Sequence, residues 1–301
     1  MPARKSDWLV WVVVGGAALL FFALCLVALA LYTTGDAGSG LSFSGSQVAV
    51  IDLEGIIFDS KDFVEQLRTY GRPSAVKAVV LRINSPGGGV AASQEMYAAL
   101  RRFRAESRKI VVASMSTVAA SGAYYVACAS DKIYANPGSI TGSIGVIAEW
   151  YNYGDLLKWA KMQSIVFKSG EFKDAGSPTR PLTDAEKAYF QSLINNMYGQ
   201  FVTAVAESRK MDEAAVRKLA DGRVFTGLEA KDNGLVDELG TLQDAVQGAA
   251  RAAGIQGEPR TVSPPKRKLS LWDLVFGDAR TVLSLNPDRS ESHIRFQYLW
   301  R

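Results

Sequence analysis

Histidine is almost missing from this chain of 301 residues; His293 is the only one. It lies in a charged stretch near the carboxyl end, Asp288 to Arg295. A Ser-His-Asp hydrolase needs an imidazole held rigidly beside its serine, and such a tail is a poor place to hold one. A histidine-rich metal centre is excluded on the same ground. Cysteine is as scarce, with Cys25 and Cys128 alone. Two separated cysteines cannot build a zinc knuckle, no disulfide is expected between them, and Cys128 is expected to pack in the core as a small hydrophobe. No metal or cofactor is therefore expected. Charge of one sign is in short supply too: the net charge is +4, from 34 basic and 30 acidic residues. A surplus that small and dispersed is no footprint for nucleic acid. Internal repeats are absent, so one catalytic unit is expected.

Charge is missing altogether from Trp8 to Tyr32. Twenty-five uncharged residues can span a bilayer with some tilt. Arg4 and Lys5 precede them, which puts residues 1–7 on the cytoplasmic side. The stretch reads as an uncleaved signal anchor over 8–32. A cleaved signal peptide is the competing reading, because Ala28-Leu29-Ala30 resembles a cleavage site. Either reading places the remainder outside the cytoplasm. Residues 33–46, rich in Gly, Ser and Thr, are a flexible linker by composition.

What is present over 47–256 is an alternation of strand and helix patterns. Val48–Leu53, the apolar run Val76–Ile83 and Lys109–Met115 read as strands, with helices over Asp62–Tyr70 and Ala91–Arg104. This implies βαβ crossovers and a buried parallel sheet. Short strands are expected at Ile133–Ala135, Ile144–Ala148 and Ser164–Lys168. Further helices are expected over Tyr153–Met162, Thr183–Arg209, Asp212–Ala220, Leu228–Asn233 and Thr241–Ala253, with Thr183 and Glu186 as a capping box. The tail 257–301 is basic at Pro264–Lys268 and apolar at Leu271–Phe276. It reads either as a terminus with one docked segment or as a contact with a bilayer or a neighbouring subunit.

Two stretches carry chemistry. Ser121 follows the strand at Lys109–Met115 and opens a helix-compatible run at Gly122. Free N–H groups and the positive dipole end at such a corner favour a developing oxyanion, although a serine there also serves as an ordinary helix cap. Gly87-Gly88-Gly89 between a strand and a helix lets the backbone approach a ligand and leaves N–H groups free. Gly-Lys-Ser/Thr does not follow, so a Walker A loop is out. An oxyanion hole and a tight turn both remain open. If the chain is a serine hydrolase, the scarcity of histidine makes lysine the expected base.

Together these pieces resemble a known family. Ile83-Asn84-Ser85-Pro86-Gly87-Gly88-Gly89, Ala120-Ser121-Gly122-Ala123-Tyr124-Tyr125, the stretches Gly138–Val146, Lys168–Asp174 and Asp221–Gly227, and Gly234-Leu235-Val236-Asp237 are similar to the signal peptide peptidase A family, peptidase family S49. The resemblance covers about 47–253 and the anchor before it. Ala123 departs from the pattern, where the family usually has a second glycine. The resemblance implies an α/β fold of repeated β-β-α units related to the Clp protease and crotonases, preceded by one transmembrane helix. It implies a Ser/Lys dyad, with Ser121 as nucleophile and Lys173 as general base; Lys168 is the competing lysine. Ser143 would orient the lysine amine. The N–H groups of Gly88 and Gly122 would form the oxyanion hole, with Gly87 the near alternative. Peptide substrates such as cleaved signal peptides, a membrane and a homo-oligomer are the implied partners, and the dyad of such enzymes can be assembled across subunits.

The base must be uncharged. Free lysine titrates near 10.4, and burial among apolar groups lowers that value. Lys173 is therefore expected in dry surroundings, with the Asp174 carboxylate turned away. Crotonase-like acyl-CoA chemistry and a non-catalytic membrane scaffold are the alternatives to peptide hydrolysis.

Overall fold

The structure, a computed structural model, describes residues 46–264 and 295–300, with helical residues at 14–16, 19–22 and 24. The chain divides into two units, Met1–Phe43 and Ser44–Arg301. Most of the apolar stretch 8–32 lies outside the described residues, as do Cys25, His293 and Leu271–Phe276. Its described members, among them Leu19, Phe21 and Phe22, are helical with exposed side chains. Among the described residues no helix is long and apolar enough to cross a membrane.

The second unit begins with β1 (Gln47–Glu54), α1 (Lys61–Gly71), β2 (Val76–Ser85), β3 (Gly87–Gly89), α2 (Val90–Ser107) and β4 (Ile110–Ala120). It continues with α3 (Gly122–Ala127), β5 (Lys132–Ala135), β6 (Ile140–Gly142), β7 (Ile147–Glu149), α4 (Gly154–Trp159) and a 3-10 turn at Glu171–Asp174. Next come α5 (Asp184–Arg209), α6 (Glu213–Leu219), β8 (Val224–Thr226), α7 (Gly227–Asp232), β9 (Glu238–Leu239), α8 (Leu242–Ala252), β10 (Arg260–Val262) and β11 (Arg295–Leu299).

The main sheet runs β10-β1-β2-β4-β5-β9, all parallel, with β6 beside the far end of β4 and β8 antiparallel to β6. Val48, Val50, Ala78, Val80 and Val112 pack against Ala245, Val246, Ala249 and Ala250 of α8. The alternate residues Ala49, Ile51, Val79, Leu81 and Val111 are equally buried. Both faces are covered, which is why these strands read as unbroken apolar runs. The capping box forms as expected: Glu186 N–H donates to the Thr183 hydroxyl and Thr183 N–H to the Glu186 carboxylate.

Five local expectations change. Ser164–Lys168 is not a strand; its residues are exposed, and no neighbouring strand pairs with them. The strand expected over Ile144–Ala148 is shifted to Ile147–Glu149, and Ile140–Gly142, read as loop, forms β6. The glycine stretch, read as a break, contains β3, because Gly88 bridges to Ile57 on one side and pairs with Tyr298 on the other. In the tail, β10 adds to the edge of β1, and β11 forms a second, antiparallel sheet in the order β3-β11-β7.

Candidate active site

Three strand ends converge on the site. At the end of β4, Ala120 pairs with Gly142, and Ser121 N–H donates to the Gly142 carbonyl at 2.8 Å. That register sets Ser143 next to Ser121. At the end of β2, Ser85 pairs with Ala119, so the glycines after it arrive beside the start of α3.

Ser121 takes φ 54° and ψ −118°, a conformation that a side chain adopts at a cost of about 1–3 kcal/mol. Burial holds it there. Every residue of α3 is buried, Tyr125 N–H donates to the Ser121 carbonyl at 2.9 Å, and the Tyr124 hydroxyl is tied to the Leu235 carbonyl at 2.9 Å. Ser121 is only 1% exposed, and its hydroxyl has no hydrogen-bond partner among the described residues. With Ser143, likewise at positive φ and with an unpartnered hydroxyl, it lines a cavity of about 480 Å³. Ile194, Tyr198 and Asp221 form other parts of the wall. Arg223, bonded to both Asp221 oxygens, pulls that carboxyl down to about 2. Cys128, the residue that caps the end of α3, is no rival nucleophile, because burial pushes its thiol up to about 11.

The two glycines assigned to the oxyanion hole adjoin each other. A Cβ on Gly122 would lie 3.2 Å from the Gly88 nitrogen and 2.4 Å from the Ser93 hydroxyl. One on Gly87 would lie 2.7 Å from the Gly122 nitrogen. Gly122 is the first residue of its helix, a position whose N–H has no partner inside the helix. Gly88 is closed on its other side, because a Cβ there would meet the Ile57 oxygen at 2.1 Å.

The lysines separate sharply. Lys168 donates to Asp174 at 2.6 Å and to the Glu171 carbonyl at 2.8 Å. Arg180 grips the same carboxylate at 3.0 Å and the buried Glu186 at 2.5 Å. Lys168 and then Arg180 hold the Asp174 carboxyl below its ordinary value, and Arg180 pulls Glu186 down to about 2. Asp174 is thus engaged away from its neighbour, as the sequence reading requires. Lys173 has no side-chain partner among the described residues. Yet it is exposed on its 3-10 turn and is not part of the wall around Ser121. The dry surroundings expected for it are not supplied by this chain's own core, since Phe172 and the whole loop before it face outward. Sequence reasoning missed Arg180 and Glu186. The only local signal was the capping box, which marked Glu186 as a helix-start residue and gave no sign of its pairing with Arg180.

A strained, buried serine at a strand-to-helix corner with two glycine N–H groups beside it defines a serine hydrolase with a Clp-protease-like α/β fold. Residues 103–256 match the model of Peptidase family S49, and residues 50–140 that of Clp protease. “Putative protease slr0021” of Synechocystis sp. is 42% identical over 73% of this chain and 80% of its own length. “Putative signal peptide peptidase SppA” of Enterococcus faecium is 40% identical over 63% of this chain. “Serine protease SPPA, chloroplastic” of Arabidopsis thaliana is 31% identical over 82% of it. The chain spans 55% of the second relative and 39% of the third. The chain belongs to peptidase family S49, and its enzyme class is the serine peptidase. The acyl-CoA alternative falls with that membership.

Proposed function

We propose that the chain is a membrane-anchored serine endopeptidase in which Ser121 attacks the peptide carbonyl and Lys173 takes its proton. The observation that carries this reading is the pair formed by Ser121, strained and unpartnered, and the adjoining N–H groups of Gly88 and Gly122. Lys173 accepts the hydroxyl proton and passes it to the leaving amine; its neutral amine then takes a proton from the water that attacks the acyl-enzyme and returns that proton to Ser121 as the acyl–oxygen bond breaks. The two N–H groups meet the carbonyl oxygen as it becomes charged. Ser143, beside Ser121 in the same cavity, orients the amine.

Lys168 is the poorer candidate because its amine is already engaged by the Asp174 carboxylate and the Glu171 carbonyl. The exposure of Lys173 supports a dyad formed between two copies of the chain, with the neighbour's surface drying the amine. Tyr151, Trp159, Ile165 and Phe167, which precede that segment in the chain, have side chains 77–96% exposed, apolar surface suited to a second copy. The layout that goes with this reading is a cytoplasmic start over 1–7, an anchor over 8–32, a linker over 33–46, a peptidase domain over 47–256 and a tail over 257–301. Remnant signal peptides and other unfolded apolar peptides outside the cytoplasm are the substrates. Lys173→Ala should lower kcat/KM on an unfolded peptide by at least about 10³-fold, and Lys168→Ala by less than about tenfold. Full activity in Lys173→Ala would refute the dyad, and equal losses in both variants would move the base to Lys168.

A further inference from the structure

Two carboxylates adjoin the groups of the dyad, and an arginine holds each. Asp174 follows Lys173 on the 3-10 turn and is gripped by Arg180 and Lys168. Asp221 stands in the wall of the cavity that holds Ser121 and Ser143. Among the described residues of that wall it is the only charged one. The long helix α5 contributes Asn195 and the neutral phenol of Tyr198, and Val146, Ile147 and Ile194 are apolar. Glu149, at the end of β7, lies outside the wall.

Asp221-Gly222-Arg223 is a turn that closes on itself. Gly222 takes φ 90°, a conformation open to glycine. The Arg223 N–H donates to Asp221 Oδ1 at 3.1 Å. Its Nε–H donates to both carboxylate oxygens, at 2.8 and 2.9 Å, and Nη2 donates to Oδ2. The guanidinium fork thus occupies both oxygens. The backbone of the same arginine reaches the other way. Its carbonyl accepts from the Ser143 N–H at 2.8 Å. Beyond that bond, Val224 pairs with Gly142, whose carbonyl accepts from the Ser121 N–H. One residue therefore holds the carboxylate of the wall and the backbone of the serine beside Ser121.

The requirement on the base gives this pairing a consequence. Lys173 must be uncharged to accept a proton, and a carboxylate within about 4–6 Å of an amine favours its charged form. In one copy the side chains of Arg223 and Asp221 are 63% and 47% exposed, so water screens them. Once an amine seats in the cavity and excludes that water, a bare carboxylate acts on it more strongly. A clamped one presents a pair with no net charge.

We infer that Arg223 is a positioning residue for the proton transfer: it neutralises Asp221 in the cavity wall, so that the Lys173 amine enters beside Ser143 without a counter-ion and stays uncharged. This inference rests on the Ser121–Lys173 reading. The charged groups on the base's own turn are Asp174, already paired, and Glu171, whose side chain is exposed.

The amine can be read directly. In full chains carrying Ser121→Ala, Lys173 is acetylated with acetic anhydride from about pH 6 to pH 11, and mass spectrometry measures the extent at that lysine. Only the neutral amine reacts, so the midpoint follows its titration. Arg223→Gln should move the midpoint alkaline by about half a pH unit to one pH unit, and adding Asp221→Asn should return it. Substitution at so exposed a side chain leaves the core untouched. In chains with Ser121 intact, the acidic limb of kcat/KM on an internally quenched apolar peptide should move and return in step. Arg223→Gln then loses up to about tenfold at neutral pH and little on the alkaline plateau. A turn that merely supports Ser143 would lower kcat/KM equally at every pH and leave the midpoint in place, which overturns the inference. Full activity in Lys173→Ala with a midpoint that moves would refute the dyad and leave Arg223 as the residue that sets the Lys173 charge. An unmoved midpoint overturns the inference whatever the activity.

Discussion

At the scale of single residues, the account turns on which charged groups are occupied. Arg180 reaches two carboxylates, Asp174 beside Lys173 and Glu186 at the start of α5, and so fastens the loop that carries Lys173 to that helix. Glu186 titrates near 2 in the folded chain against an ordinary 4.5. Its contribution to stability is therefore complete above about pH 4.5 and is lost as the pH falls toward 2. Urea midpoints measured between pH 6 and pH 3 should fall for the native chain and flatten for Glu186→Gln, which starts lower at pH 6; parallel curves would contradict this. That Ser121, Ser143 and the two glycines come together was legible in the sequence because each sits in a short motif at the end of a strand. The Arg180 network was not, since a six-residue separation becomes a contact only once the loop has folded. Tyr298 gave no sign at all: nothing local in a charged tail distinguishes a residue that packs far away in sequence.

At the scale of elements, small residues let chain segments approach closely. Gly88 sits against the Ile57 backbone, where a methyl group would meet the carbonyl oxygen at 2.1 Å. Gly88→Ala must push β3 away from Ile57, and a shift of a few tenths of an ångström displaces an oxyanion donor. Activity should fall about 10²-fold or more, with a loss of stability of about 1–3 kcal/mol. Steady-state kinetics and a thermal melt check this, and an unchanged kcat would contradict the role of that N–H. The long strands and the capped helices were readable because burial on both faces and cap chemistry are local patterns. The three-residue strands were not, because β3, β6 and β10 are defined by their partners. Ser164–Lys168 failed for the converse reason: it has a strand-like composition and no partner.

At the scale of the whole molecule, one chain brings Ser121, Ser143, Gly88 and Gly122 together and leaves Lys173 outside, on a loop preceded in the chain by exposed Trp159, Ile165 and Phe167. Two inactive variants, Ser121→Ala and Lys173→Ala, should regain activity when mixed in equal amounts and allowed to exchange subunits, because about a quarter of the sites then pair an intact serine with an intact lysine. Trp159→Glu with Phe167→Glu should reduce the sedimenting species and the activity together. Activity without association would place the dyad within one chain. The central claim is that Lys173 activates Ser121, and the most direct measurement of it is mass spectrometry of the full chain after treatment with a serine-reactive phosphonate. The account predicts an adduct on Ser121 that forms in the native protein and in Lys168→Ala and is lost in Lys173→Ala. No adduct on Ser121, or equal labelling without Lys173, would contradict it.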